Sequence, residues 1–353
     1  MHHIAIVAPL TGELAPVGES AVKAAHLAIA DLGNPVELVV VDDGCDPIIG
    51  KEAVTAIAND SRVIGVVGHY CSVVALAVTS IYAKAHLPVI IWGAHHTDIT
   101  DRRPGPYVFR LCGTFRHEAQ AAVTLALQRG WKRISLLRDA TPYGREHASL
   151  FRHAWQASAG EIVSETEDPC ALRNSDVLWI AAAPQTWWKA FKIAVGAKPS
   201  IHRTTADLII AVRGAGWQKP ILVTAAGLID TETLNEVESM GGELYAVSEA
   251  HVPAALQSDG GLFEMRYRKM TYAPVLSPYA RYAYAATQLM AALIREQERE
   301  VTREGLSAAI AAANGRPISV GTVAFDHTGQ QSTVAIAAFK AQNGQWRSQG
   351  LLM

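Results

Sequence analysis

Short, nearly continuous apolar runs alternate with alanine-rich helical stretches along almost the whole chain. This alternation constrains the fold more than any other feature. IAIVAPL, VELVVVDD, VIGVVG and PVIIWG read as strands. ESAVKAAHLAIADLG, KEAVTAIAND and a stretch starting at Ser72 read as the helices between them. Strands apolar on both faces and linked by helices predict a parallel sheet covered on both sides. YVFRL, just before Cys112, reads as a strand leaving this layer. The pattern then restarts: HEAQAAVTLALQRG is a helix, RISLLRD a strand, YGREHASLFRHAWQASAG a helix and DVLWIAAA a strand. TADLIIAVRGAG and PILVTAA repeat the helix and strand. LYAVSEAH, a tyrosine-rich helix over 278–298, a helix over 304–313, and the strands TVAFD and TVAIAAFK follow, and can join either layer. Two doubly wound α/β layers are therefore expected. Small ligands bind such sheets at the carboxyl ends of the strands.

Composition removes several function classes. The 353 residues are half hydrophobic, enough for substantial cores. A net charge of −2 gives no general attraction to nucleic acid or anionic lipid. No run of about eighteen apolar residues is present, so no membrane-inserted helix is expected. Neither GxGxxG nor GxxxxGK[ST] occurs, which argues against dinucleotide and P-loop chemistry. The GxSxG elbow of α/β-hydrolases is absent too. His95 and His96 are adjacent and read as a polar loop rim, not a metal pair. DDGCD, residues 42–46, lacks the ligand periodicity of a calcium loop and reads as a turn. No base or nucleophile with an orienting partner emerges, and neither enzyme nor cofactor is expected.

GHYCSVVALAVTSIYAKAHLPVI carries the clearest site signal. Ser72 stands where a strand hands over to a helix, among free N–H groups at the positive end of the helix dipole. Position alone leaves two readings open. Ser72 is an N-cap, or its hydroxyl and nearby N–H groups hold an anionic ligand.

Cys45, Cys71, Cys112 and Cys170 form no CxxC pair or zinc spacing. Two could meet at strand ends as a disulfide. No charged n-region, apolar h-region or cleavage site precedes the first strand. The sequence therefore reads either as a cytosolic chain or as a mature domain whose leader lies outside it. Met1, His2 and His3 are kept out of the functional argument.

PLTGELAPVGES, VVVDDGCDP, GHYCS, SIYAKAHLPVI, YVFRLCGTFRHEAQ, TPYGREHA and GTVAFDHTGQ follow in order along nearly the whole chain. Together they resemble the branched-chain amino acid (Leu/Ile/Val) type of periplasmic solute-binding protein. The resemblance implies the type I fold: two α/β lobes joined by three crossover segments, with a ligand cleft between them that closes by hinge motion. The lobes would comprise 1–116 with 249–325, and 117–248 with 326–353. It also implies a Cys45–Cys71 disulfide and hence a periplasmic home. By the same resemblance, Ser72 gives its hydroxyl to a ligand carboxylate, assisted by backbone N–H groups of Gly93, Ala94 and His95. Tyr143, in the T-x-Y-G motif, is a second-lobe contact.

The chain also departs from that pattern. His95 replaces a usual threonine, and Ile91 and Trp92 replace a serine-proline pair. The next family tyrosine falls among Ala181, Ala182 and Ala183. The acidic partner of a ligand ammonium falls near Ala226. A buried ammonium without such a partner is costly by several kcal/mol. The departures point to a carboxylate whose other end is apolar, aromatic or anionic, although water or carbonyls replacing the lost partners would readmit Leu, Ile or Val. Arg116, beside His117, is a candidate for a second anionic group or a solvated hinge residue. Tyr70 and Trp92 are candidates to stack on a flat ligand, with core packing the favoured reading of Trp92. Val17 replaces a frequent aromatic in the first loop. Residues 185–204, including Trp187, Trp188 and Lys189, have no ready counterpart and read as an added covering helix, the favoured reading, or as a segment reaching into the cleft, while the helix between Ile162 and Asp176 is shortened. The expected partners are a small ligand and a membrane ABC permease. The alternative is a cytoplasmic amide or urea sensor of the same fold.

Overall fold

The computed structural model describes residues 2–182, 204–225, 228, 231–297 and 300–353. The chain divides into two compact units, Met1–Thr114 with Pro253–Val334, and Phe115–Val252 with Ala335–Met353. It passes between them three times, as the resemblance implies.

The first unit is built on β1 (His3–Ala8), β2 (Glu37–Asp42), β3 (Val63–Val67), β4 (Val89–Ile91) and β5 (Val108–Arg110), in the order β2-β1-β3-β4-β5. Every pairing is parallel. β1, β3, β4 and β5 are buried along their whole length, the expected outcome for strands covered on both faces. β5 was expected to leave this layer. Instead it pairs with β4, Ile91 beside Arg110, and the chain leaves only afterwards. The connecting helices are α1 (Ala15–Asp31), α2 (Pro47–Asn59), α3 (Ser72–Lys84) and the single turn α4 (Asp98–Asp101). The later tyrosine-rich helix, Ala280–Arg295, returns to this unit and packs on α1. It comes so close to β3 that a Cβ on Gly65 would lie 2.4 Å from Met290 Sδ. Only glycine permits that approach.

The second unit holds a seven-stranded sheet. β6 (Arg133–Arg138), β7 (Glu161–Thr166), β8 (Val177–Ala181), β9 (Ile221–Val223) and β10 (Leu244–Ser248) run parallel, in the order β10-β9-β8-β6-β7. Strand Ala337–Gln342 extends it antiparallel to β10, and Gln345–Leu351 lies antiparallel to Ala337–Gln342 at the edge. The helices that bear on the site are α5 (Phe115–Gln128) and α6 (Pro142–Ala157). Two features differ from expectation. β7 escapes a search for apolar runs because EIVSET is a half-exposed edge. The last two strands make the sheet mixed: Ala337–Gln342 pairs antiparallel with β10, and a tight Asn343–Gly344 turn returns the chain antiparallel to that strand.

The unit boundaries also differ from the expected 116/117, 248/249 and 325/326. The largest difference has a clear cause. Residues 326–334 stay with the first unit because Arg110 N–H donates to Gly329 O and Gln331 N–H to Arg110 O, both at 2.9 Å. Ala183, Ala226 and almost all of the 185–204 segment lie outside the described residues. Among the described residues, no helix is long and apolar enough to cross a membrane.

Candidate functional site

β3 ends at Val67 and the chain turns through Gly68, His69, Tyr70 and Cys71 into α3. Cys71 is the N-cap residue and Ser72 the first helical residue. The Ser72 hydroxyl does not cap its own helix. Its Oγ accepts the N–H of His95 at 3.1 Å and that of His96 at 3.2 Å, both from the loop after β4. A serine hydroxyl offers two lone pairs and one proton. With both lone pairs engaged, the proton is what remains to offer, so half-buried Ser72 is set as a donor.

The loop amides fare differently from expectation. Gly93 N–H donates to His69 O at 3.1 Å, and His95 N–H is taken by Ser72. Of the three expected to face a ligand, buried Ala94 is the one left as candidate for an outside acceptor. Gly93 is required by packing. A Cβ there would lie 2.7 Å from the Tyr70 ring.

Around these donors stands an aromatic wall within the first unit. Tyr70 stacks on Trp92 with ring centroids 5.5 Å apart. Tyr279 meets Tyr70 edge-on at 5.8 Å and His95 edge-on at 5.1 Å. Trp92 is fully buried, as its core reading expects, yet its Nε1 finds no acceptor among the described residues. Tyr279 was not singled out from sequence, because nothing local in SPYARYAY distinguishes it from its neighbours.

The corner is held from beneath. The Cys45–Cys71 disulfide is formed, with Cα atoms 5.5 Å apart. Below it His69 Nδ1 lies 2.8 Å from Asp43 Oδ2 and Nε2 lies 2.8 Å from Tyr82 Oη, all three side chains fully buried. Burial, and after it the Asp43 carboxylate, pushes the Tyr82 phenol well above the ordinary tyrosine value. A phenol that keeps its proton can donate to Nε2. In that tautomer the Nδ1–H donates to Asp43. Asp42, next in the chain, accepts from Leu10 N–H, Thr11 Oγ1 and Gly44 N–H at 2.7–2.8 Å. Burial raises its carboxyl, but these hydrogen bonds outweigh it and hold the group below the usual carboxylate range.

The second unit presents its own polar corner. Thr141 caps α6, accepting Gly144 N–H at 3.0 Å and donating to Asp139 Oδ1 at 2.5 Å. Tyr143, one residue into the helix, reaches Thr224 Oγ1 at 3.2 Å and packs against the Phe115 and His147 rings. Buried His147 has its Nε2 3.8 Å from Glu118. Thr224 and His147 were missed from sequence, since their relation to Tyr143 depends on strand and helix placement. Arg116 is exposed on the first turn of α5. Ala226 lies outside the described residues.

Comparisons with known proteins agree with this fold. The Leu/Ile/Val-binding protein BraC3 of Rhizobium johnstonii is 23% identical over 97% of this chain and 92% of its own length. The branched-chain amino acid substrate-binding protein LivJ of Streptococcus pneumoniae, solved with isoleucine, superposes with a TM-score of 0.73 at 18% identity, covering 99% of both chains. A solute-binding protein of an ABC transporter from Rhodopseudomonas palustris, solved with p-hydroxybenzoic acid, gives 0.75 at 17% identity, covering 99% of this chain and 96% of that one. The periplasmic binding protein family matches residues 2–345, so this chain belongs to that family.

Proposed function

We propose that this chain is the extracytoplasmic solute-binding protein of an ABC importer and that it takes a small carboxylate-bearing ligand. The observation that carries the reading is the Ser72 hydroxyl, whose lone pairs are engaged by His95 and His96 N–H and whose proton is left to donate. A donor-only hydroxyl beside the Ala94 amide suits an anionic acceptor. Isoleucine and p-hydroxybenzoic acid, the ligands of two structural neighbours, share a carboxylate and little else. Tyr70 and His95 would flank the ligand body in the first unit. Tyr143 is the second unit's contact, and Arg116 serves a second anionic group where the ligand has one. The disulfide supports an oxidising, periplasmic home and counts against a cytoplasmic amide or urea sensor. The membrane permease is the partner, and no turnover of the ligand is proposed.

A thermal-shift screen of ligand-stripped protein tests this. The panel holds branched-chain and other amino acids, keto acids, aromatic carboxylates, short amides and urea. A ligand at a hundredfold excess over Kd adds about 2.7 kcal/mol of apparent stability, a visible shift. Carboxylates are expected to stabilise, and aromatic or keto acids more than α-amino acids. Stabilisation by amides or urea alone would overturn the proposal.

A further inference from the structure

Arg110 is a fully buried arginine that ends β5, and the expected function leaves it without a role. Its side chain runs to the back of the loop that serves Ser72. Nη1 donates to Ala94 O at 3.0 Å and to His96 O at 2.6 Å. Nη2 donates to Thr100 Oγ1 at 2.7 Å, and Nε to Gln330 Oε1. Gln330 in turn donates to Cys112 O at 3.0 Å and Gln331 O at 2.9 Å, which fixes the head group from its far side.

A trans peptide points its C=O and N–H in opposite directions. The Ala94–His95 peptide has its oxygen on Arg110, so its N–H faces away, and there it meets Ser72 Oγ. One unbroken path therefore runs from the guanidinium through a carbonyl and an amide to the serine oxygen. Each bond in such a chain polarises the next. The guanidinium keeps its charge throughout the accessible pH range. It thus biases the distant hydroxyl toward donating, without reaching the ligand.

We infer that Arg110 is a positioning residue for the anion site: by gripping the Ala94 carbonyl it turns the His95 amide toward Ser72, by gripping the His96 carbonyl it fixes the loop just beyond, and it thereby sets the serine as a donor. This rests on the carboxylate reading above for its purpose, but not for its geometry.

The test therefore has two arms. The first is amide hydrogen exchange of ligand-free protein, comparing Arg110→Met and Arg110→Lys with the parent. The His95 amide is expected to exchange about tenfold faster relative to the amides of β1. A purely structural arginine would speed both sets in step, and that result would overturn the inference. Where Arg110→Met fails to fold, Arg110→Lys decides alone. It keeps the charge but loses the planar fork, so a parent-like exchange ratio would equally overturn the inference. The second arm measures affinity for benzoate and isoleucine. Whichever of them the parent binds should bind about tenfold more weakly to Arg110→Met. If the parent binds neither nor any other carboxylate, the proposed function fails, while the exchange ratio still decides the role of Arg110.

Discussion

Two strand-to-helix corners, one in each unit, use a hydroxyl in opposite ways. In the second unit Thr141 keeps everything local. It accepts from Gly144 three residues on and donates to Asp139 two residues back. Its hydroxyl both donates and accepts within the turn that starts the helix. In the first unit Ser72 accepts from residues 23 and 24 positions away and leaves its proton uncommitted to its own helix. The buried histidine beneath it likewise draws on partners 26 and 13 positions away. A locally satisfied hydroxyl stabilises; one held by distant loops is aimed. The same contrast separates the helix cap at Thr141 from the ligand donor proposed at Ser72.

The comparison can be broken most forcefully at His69. Replacing it by leucine leaves Asp43 Oδ2 buried without its partner, and should lower unfolding stability by about 3 kcal/mol in urea titrations. A change below half a kilocalorie would mean the corner does not depend on its long-range support. Ser72→Ala comes next. Ligand affinity should drop by about 1–3 kcal/mol in calorimetry. An unchanged affinity would make the serine a spacer. Thr141→Ala should do the reverse, lowering stability by about 1 kcal/mol, as loss of an N-cap does. A Thr141→Ala protein that keeps its stability but loses ligand would erase the distinction between the corners.

The smallest effect concerns acid. Asp42 has its folded-state pKa held down, so its contribution is present above the unfolded value near pH 4 and fades as pH falls through the folded value. Asp42→Asn should therefore destabilise at pH 7 and make less difference near pH 2. Equal destabilisation at both values would assign the effect to shape, not charge.

The sequence made these features legible in proportion to how local their causes are. β1, β3 and β4 were readable because full burial demands continuous apolar residues. The half-exposed edge β7 lacked that signal. Thr141 and Gly144 lie within one motif, whereas the partners of Ser72 are known only once β4 is laid beside β3. The Cys45–Cys71 bond came from family resemblance, since spacing among four cysteines does not choose a pair. Arg110 stayed hidden for a different reason. Two of its acceptors are loop carbonyls, which every residue possesses, and the others, Thr100 and Gln330, meet it only in the folded unit. Tyr279 similarly acquires meaning only when the helix it precedes returns to the first unit.

That late return has a consequence for synthesis. The face of β3 at Gly65 is shaped to receive Met290, more than two hundred residues downstream. A chain emerging from the ribosome completes β1 to β5 early, but the cover of that sheet arrives only after the intervening segment of the second unit has been made. Through that interval the nascent first sheet leaves the part of its face over β3 uncovered, the kind of surface that favours aggregation. A pause or truncation before residue 295 should therefore leave a chain that depends on chaperones, even though the loop bearing Ser72 was translated long before.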